Sequence, residues 1–223
     1  GDVVAAELNG GALADALTGG NQADTITGGE GADVIKGDAG NDTIILTETT
    51  AAADTVVFMT ESANGVDTIK GFDSSSDLIQ VLAADTAGAT SASSAALVGV
   101  ANVGLVAGAS AYDISGAITD TTNIEDVIVI GTALSSNGDL DVGTDGTELL
   151  KALSSTSTAA SQITTDSGSE LFLVAYQDGN AYMFHAEAGS GNAAVVADEI
   201  ELVGIFEDVA VGTILAADFA VLA

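Results

Sequence analysis

Residues 10–45 read GGALADALT, GGNQADTIT, GGEGADVIK and GDAGNDTII, four nine-residue units laid end to end without a gap. Aligned, they place Asp15, Asp24, Asp33 and Asp42 in the sixth position and Leu17, Ile26, Ile35 and Ile44 in the eighth. The third unit fits the pattern G-G-x-G-x-D-x-U-x, U being a large apolar residue, at every defined position. The others depart from it once each: Leu13 and Gln22 replace the fourth-position glycine, and Asp38 replaces the second. A low-complexity Gly/Asp loop would explain the composition of this stretch, but not a phase held through consecutive units.

The residue types point to a metal. A glycine that opens each unit permits close backbone approach and left-handed conformations, which bring carbonyl oxygens around an ion. Carboxylates and carbonyls are hard oxygen ligands, suited to the loosely arranged shell of Ca²⁺ rather than to Zn²⁺. The leading candidates are Asp15, Asp24, Asp33 and Asp42, with Gly10, Gly19, Gly28, Gly31, Gly37 and Gly40 shaping the turns.

On these motifs the stretch resembles the RTX family of secreted calcium-binding proteins. The resemblance implies a parallel β-roll in which G-G-x-G-x-D turns and the last three residues of each unit make a short strand with its apolar side chain inward. One unit is then half a coil, so Asp15 stacks over Asp33 on one edge and Asp24 over Asp42 on the other. The segments Asp54–Phe58, Asn64–Ile69, Gly71–Asp73 and Asp77–Val81 look like the elements that close such rolls. They make Asp54, Asp67, Asp73 and Asp77 further metal candidates, with solvated turn residues as the alternative.

Charge narrows the partners. The 223 residues carry 33 acidic side chains against Lys36, Lys70 and Lys151, for a formal net charge of −30. Such a chain repels nucleic acid and anionic lipid, and a cation relieves its self-repulsion. With no cysteine there is no disulfide or thiolate metal site, so burial and ions must stabilise the fold. The chain opens at Gly1 with no visible signal peptide, as the tail of a longer protein would. Its longest apolar run, about 95–109, is too short and too glycine-rich to span a bilayer.

Beyond the roll the signals are mainly β. Residues 83–123 are rich in Ala, Ser, Thr and Gly and read as a connecting region, with 97–106 either strand or loose connection. A buried strand is expected over Ile124–Ile130. A short helix is expected through Leu153, capped by Asp145 or Thr147. Just before it Asp139, Asp141, Asp145 and Glu148 crowd a glycine-containing turn, either a capping loop or an irregular calcium site; the spacing fails the EF-hand pattern. Leu171–Tyr176 and Tyr182–Phe184 flank Asp178-Gly179, a type I′ hairpin signal. A strand follows over Glu199–Phe206, and the tail Ile214–Ala223 resembles the uncleaved export signal of type I secretion substrates.

The expected architecture is mainly β: a calcium-binding parallel β-roll over 1–82, the connection 83–123, and a β-rich, sandwich-like domain over 124–223 with one short helix and the export-signal-like tail. No catalytic constellation is legible. H-E-x-x-H, G-x-S-x-G, the P-loop and the dinucleotide fingerprint are all absent, and His185 reads as a plain strand residue. Carboxylate pairs of the glycosidase kind are assembled only by a fold, and none is credited. The expectation is a non-enzyme, extracellular at a bacterial cell surface, most similar to the C-terminal region of Caulobacter-type S-layer proteins. Expected partners are further copies of itself in a lattice or filament, the type I secretion machinery, and a cell-surface glycan through another region. Nucleic acid and membrane insertion are not expected. The alternative is the secretion and folding module of a larger RTX adhesin or exoenzyme.

Overall fold

The Asp-x-Ile step at the end of each unit starts a strand, and the glycines that open the next unit continue it. In the computed structural model, which describes residues 4–59, 65–82, 101–103, 126–134, 138–153, 163–164, 170–187, 194–215 and 218–220, β1 is Glu7–Gly11, β2 Ala16–Gly20, β3 Thr25–Gly29, β4 Val34–Asp38 and β5 Thr43–Ile45. The strands are thus longer than the three residues expected. The two opening residues stay in the parallel ladder, with Gly11 opposite Gly29 and Gly20 opposite Asp38, and only the next four residues turn.

The coil continues past the repeats. β6 (Thr55–Met59), β7 (Asp67–Lys70) and β8 (Leu78–Leu82) extend the same two parallel stacks, β1-β3-β5-β7 and β2-β4-β6-β8. In register, Leu8, Ile26, Ile44 and Ile69 line up in one stack and Leu17, Ile35, Val56 and Ile79 in the other. Leu8 and Leu17 are half-buried, and the other six are fully buried. The period-two alternation of a strand turns these side chains inward and leaves Ala16, Thr25 and Val34 exposed. A branched aliphatic ladder with the Asp positions at the turns is therefore the whole cross-section of the roll.

The second compact part of the chain is a mixed sheet. β9 (Ala101–Val103) and β10 (Asp126–Ala133) run parallel, and β10 is parallel to β12 (Glu170–Gln177). Helix α1 (Thr147–Leu153) precedes β11 (Ile163–Thr164), which pairs antiparallel with β14 (Ala194–Val195). β12 and β13 (Asn180–Glu187) form the expected hairpin, with Asp178 at φ 50° and Gly179 at φ 88°, the signs a type I′ turn requires. Tyr176, Tyr182, Phe172 and Phe184 are fully buried there. Asp145 caps α1 by accepting a hydrogen bond from the Thr147 N–H at 2.9 Å, and Leu149 and Ala152 are its buried face. The mainly-β reading, with a roll, a β-rich C-terminal part and one short helix, holds.

The boundaries differ from the expected ones. One compact unit comprises residues 1–94, 203–209 and 213–223, and the other 95–202 and 210–212. β15 (Ile200–Phe206) from Val203 onward, and β16 (Phe219–Ala220), belong with the roll, because each adds a parallel strand to it: β15 to β7 and β16 to β8. Sequence separation hid this, since a returning strand of small and apolar residues carries no trace of its pairing partner. Of the connection 83–123 only β9 is described, and the expected start at Ile124 and most of 97–106 lie outside the described residues. No helix among the described residues is long and apolar enough to cross a membrane.

Candidate metal centre

The sixth-position aspartates form two ladders, one at each edge of the roll. On one edge Asp33 Oδ1 accepts the Asp15 N–H at 2.8 Å, Asp54 Oδ1 accepts that of Asp33 at 2.9 Å, and Asp77 Oδ1 accepts that of Asp54 at 3.2 Å. On the other, Asp24 Oδ1 accepts the Ala6 N–H at 2.5 Å, Asp42 Oδ1 that of Asp24 at 2.7 Å, and Asp67 Oδ1 that of Asp42 at 3.0 Å. The stacking of alternate units expected from the resemblance is what the structure contains. The rung spacing is 18 residues within the repeats and 21, 25 and 23 beyond them. Extra turn residues are therefore absorbed without breaking the ladder.

One oxygen of each carboxylate satisfies the backbone, which leaves the other. Asp33, Asp42 and Asp54 are at most 1% exposed, and the Oδ2 of each is buried with no hydrogen-bond partner. A buried acceptor left unmatched costs about 1–3 kcal/mol, and more if charged. Buried polar atoms of this kind normally have a partner, an ion included.

The opening glycines provide room for one. A Cβ on Gly10 would touch the Gly28 carbonyl oxygen and stand 2.9 Å from Asp15 Oδ2. One on Gly19 would touch the Gly37 oxygen and stand 2.8 Å from Asp24 Oδ2. One on Gly28 would lie 2.7 Å from Asp33 Oδ2, and one on Gly37 would meet Asp42 Oδ2 and lie 3.0 Å from Asp67 Oδ2. Each missing Cβ thus leaves a space edged by carboxylate oxygen, and at Gly10 and Gly19 by a carbonyl of the stacked unit as well. Hard oxygen donors of this kind fit Ca²⁺. Among the described residues no three carboxylate or imidazole side chains group as a metal site, so backbone carbonyls must complete the shell.

Fourth-position glycine has a different role. Gly31 and Gly40 adopt φ of +113° and +127°, and a Cβ on them would stand 2.8 and 2.6 Å from the backbone of Leu13 and Gln22 in the stacked turn. Leu13 and Gln22 occupy the same position one coil earlier without left-handed backbone, and Leu13 is 77% exposed. Asp38, in place of the second glycine, does take φ 67°, a conformation that Asp tolerates better than most residues.

Residues 9–44 match the RTX calcium-binding nonapeptide repeat in four copies. This segment is an RTX calcium-binding array. RTX nonapeptides bind Ca²⁺, and Asp15, Asp24, Asp33 and Asp42 with neighbouring backbone carbonyls are the residues that would hold it; the bound ion would supply the positive charge that balances the carboxylates. No curated protein and no solved structure matches the chain.

The other candidates divide. Asp54 and Asp67 are rungs, one in each ladder, 0% and 3% exposed. Asp77 is a rung with both oxygens engaged, since its Oδ2 accepts the Asp73 N–H at 2.8 Å. Asp73 is no rung at all. It is exposed, and its Oδ1 accepts from Ser75 N–H at 2.9 Å and Ser75 Oγ at 2.7 Å, which holds it in a turn and lowers its pKa. Glu30 and Glu48 were not legible as participants. Glu48 accepts from the Gly31 N–H at 2.9 Å and the Ala52 N–H at 2.6 Å, while Glu30 accepts from Thr49 N–H at 2.9 Å and Thr50 N–H at 3.2 Å. Together they tie the lengthened turn before Asp54 to the third repeat. The signal was the arrival of the next aspartate three residues late.

Burial dominates the electrostatics. It raises the carboxyls of Asp42 and Asp77, pushes Asp54 up to about 6 with added repulsion from Asp77, Glu48 and Asp33, and pushes Asp67 up to about 8 with repulsion from Asp42. Asp54 beside Asp77, and Asp67 beside Asp42, thus resist joint ionisation.

In the loop before α1 the acidic side chains hold the backbone and its neighbours in place. Asp141 Oδ1 accepts from Tyr182 OH at 2.5 Å, Glu148 accepts from the Asp139 N–H at 3.2 Å and pairs with Lys151 at 2.5 Å, and Asp145 caps α1. This is the capping-loop arrangement. His185 is buried, lies with its ring 5.0 Å from that of Phe172, and has its pKa lowered to about 4 by burial.

Proposed function

We propose that this is a secreted protein of the bacterial cell surface that folds on Ca²⁺ and serves a structural role, as an S-layer or related self-assembling protein. The observation that carries the calcium-dependent part is the unpartnered, buried Oδ2 of Asp33, Asp42 and Asp54. Proteins with RTX repeats are typically secreted, and a low-calcium interior followed by a calcium-rich exterior gives the folding step a direction. At free calcium a hundredfold above Kd, each site contributes about 2.7 kcal/mol to the folded state. A few sites then match the whole stability of an ordinary domain. We further propose that the chain has no catalytic activity of its own, a reading supported by the absence of recognisable catalytic motifs in its sequence.

Self-assembly is tested by size-exclusion chromatography and negative-stain imaging with millimolar calcium and with chelator. Calcium-dependent sheets or filaments are the expected result. A chain that stays monomeric in calcium removes the lattice role and leaves the second reading, a folding and secretion module of a larger adhesin or exoenzyme. That reading is favoured by the confinement of the carboxylate ladder to one of the two compact units.

A further inference from the structure

We propose that the first coil of the roll, β1 and β2 with the turn that joins them, is a self-association surface that pairs edge to edge with the same coil of a second copy. The inference rests on the self-assembly reading above and names the surface that such assembly uses.

The inner strands of the roll have a parallel neighbour on each side, whereas β1 and β2 end their stacks. Among the described residues no strand lies against the outer edge of either, so two five-residue strands each present a row of backbone N–H and C=O groups without a strand partner. The carboxylate ladder is open at the same end. From Asp24 onward each rung accepts an N–H from the coil before it, but no N–H among the described residues reaches the carboxylate of Asp15.

An edge that stays free is commonly guarded by charge, proline or a bulge. Here the chain has no proline, and residues 4–23 carry only Glu7 and Asp15, against Asp24, Glu30, Asp33, Lys36, Asp38 and Asp42 in 24–45. The side chains are apolar instead. Val4 and Leu13 are 79% and 77% exposed, and Leu8 and Leu17 are only half-buried where Ile26 and Ile35, one coil on, are fully buried. Exposed apolar surface next to open strand edges marks a site of association. On a chain of net charge −30, this charge-poor end is where two copies meet with least repulsion.

The occupant must offer two strand edges at the separation of the two stacks and an apolar column between them. The same coil of a second copy offers both. The other end of the roll does not, because β15 and β16 follow β7 and β8 there and β16 is only two residues long. Head-to-tail stacking therefore finds no matching pair of edges. A two-fold axis across the roll sets the two open ends face to face, with the strands antiparallel across the join, as at the edge strand of a mixed sheet. This contact closes a pair of copies, and growth of a lattice from that pair needs a second surface.

Sedimentation velocity on the full chain in millimolar calcium, over a dilution series, tests this together with hydrogen–deuterium exchange of peptides from 7–20. Mass and the protection of 7–20 should rise together with protein concentration. Leu13→Glu places an unpaired charge in the contact and should weaken association by about tenfold or more, with the circular dichroism of the unaltered chain. Oligomers or sheets that Leu13→Glu leaves unchanged, with 7–20 no more protected at high concentration than at low, overturn this surface and leave self-assembly standing. Full protection of 7–20 at every dilution means that the chain covers this end itself, and also overturns the proposal. A pair that Leu13→Glu dissociates but that never grows into sheets supports the surface and removes the lattice role. A monomer at every concentration overturns both. Should the variant misfold, the exchange experiment on the unaltered chain still decides.

Discussion

The repeats and the coil that follows them build the same cross-section from different sequences. In 10–45 each carboxylate sits beside an opening glycine, and the carbonyls of Gly28 and Gly37 lie against Gly10 and Gly19 of the stacked units. In 46–82 Asp54, Asp67 and Asp77 still accept backbone N–H groups from the previous coil, and Val56, Ile69 and Ile79 are as buried as Ile26, Ile35 and Ile44, although only Gly65 and Gly71 remain of the glycine pattern. The rung and the aliphatic step are what stack a coil, whereas the opening glycine makes room for an ion. Asp77, with both oxygens committed to N–H groups, is the limit of a rung that holds the coil without an oxygen to spare.

The largest effect that separates the two roles is expected from the double substitution Asp33→Ala with Asp42→Ala. It removes two carboxylates with unpartnered oxygens and should raise the calcium midpoint of folding, read by circular dichroism, by about tenfold or more, the equivalent of about 1.4 kcal/mol per lost decade. Asp77→Ala should instead lower stability with chelator as well as with calcium, and shift the midpoint only by the amount that this lost stability accounts for. An equal midpoint shift in both variants would erase the distinction between ion-holding and coil-holding rungs.

Next in size is Ile35→Ala, which removes a fully buried rung of the apolar ladder. A cost of about 2–5 kcal/mol in thermal or denaturant unfolding is expected, with and without calcium. A loss confined to the calcium-free protein would show that the ion, not the aliphatic stack, carries the coil. Gly31→Ala sharpens the comparison from the backbone side. Its φ of +113° and the nearby Leu13 backbone make any side chain strained, so a loss of about 1–3 kcal/mol is expected.

The pH dependence is smaller and has a definite sign. The carboxyls of Asp54 and Asp67 are raised to about 6 and about 8 in the folded state, against an ordinary value near 3.9. The ion-free roll therefore retains protons that the unfolded chain gives up. Its stability should be greatest below the ordinary carboxyl range and should fall as pH rises through 6 and then 8. Asp67→Asn should flatten the upper part of that fall. Thermal melts in chelator between pH 4 and pH 9 check it, and stability that rises with pH over this range would contradict the burial of these groups. The least effect is expected from Asp73→Ala, an exposed turn residue, which should cost no more than about 1 kcal/mol and leave the calcium midpoint unmoved.

Legibility followed the range of the interactions. Asp15, Asp24, Asp33 and Asp42 could be read as candidate ligands from the nine-residue phase, and as stacked in pairs from the resemblance to RTX rolls. The hairpin at Asp178-Gly179 and the cap at Asp145 were readable because each is decided within a few residues. Asp73 resembled a rung in composition but was claimed by Ser75, two residues away. Glu30 and Glu48 were silent, because a carboxylate that splices a lengthened turn to a coil a full turn earlier leaves no periodic mark.

The sequence by itself determined the metal, through a local repeat of glycine and aspartate, and the resemblance of that repeat to RTX proteins supplied the coil and its inward aliphatic column. Only the tertiary structure decided where the roll ends. Gly204 opposite Asp67, Phe206 among Phe58 and Phe72, and Phe219 opposite Ile79 are pairings across more than a hundred residues. Such pairings depend on the closing of strand edges and the filling of a core, for which a short apolar strand carries no address of its own.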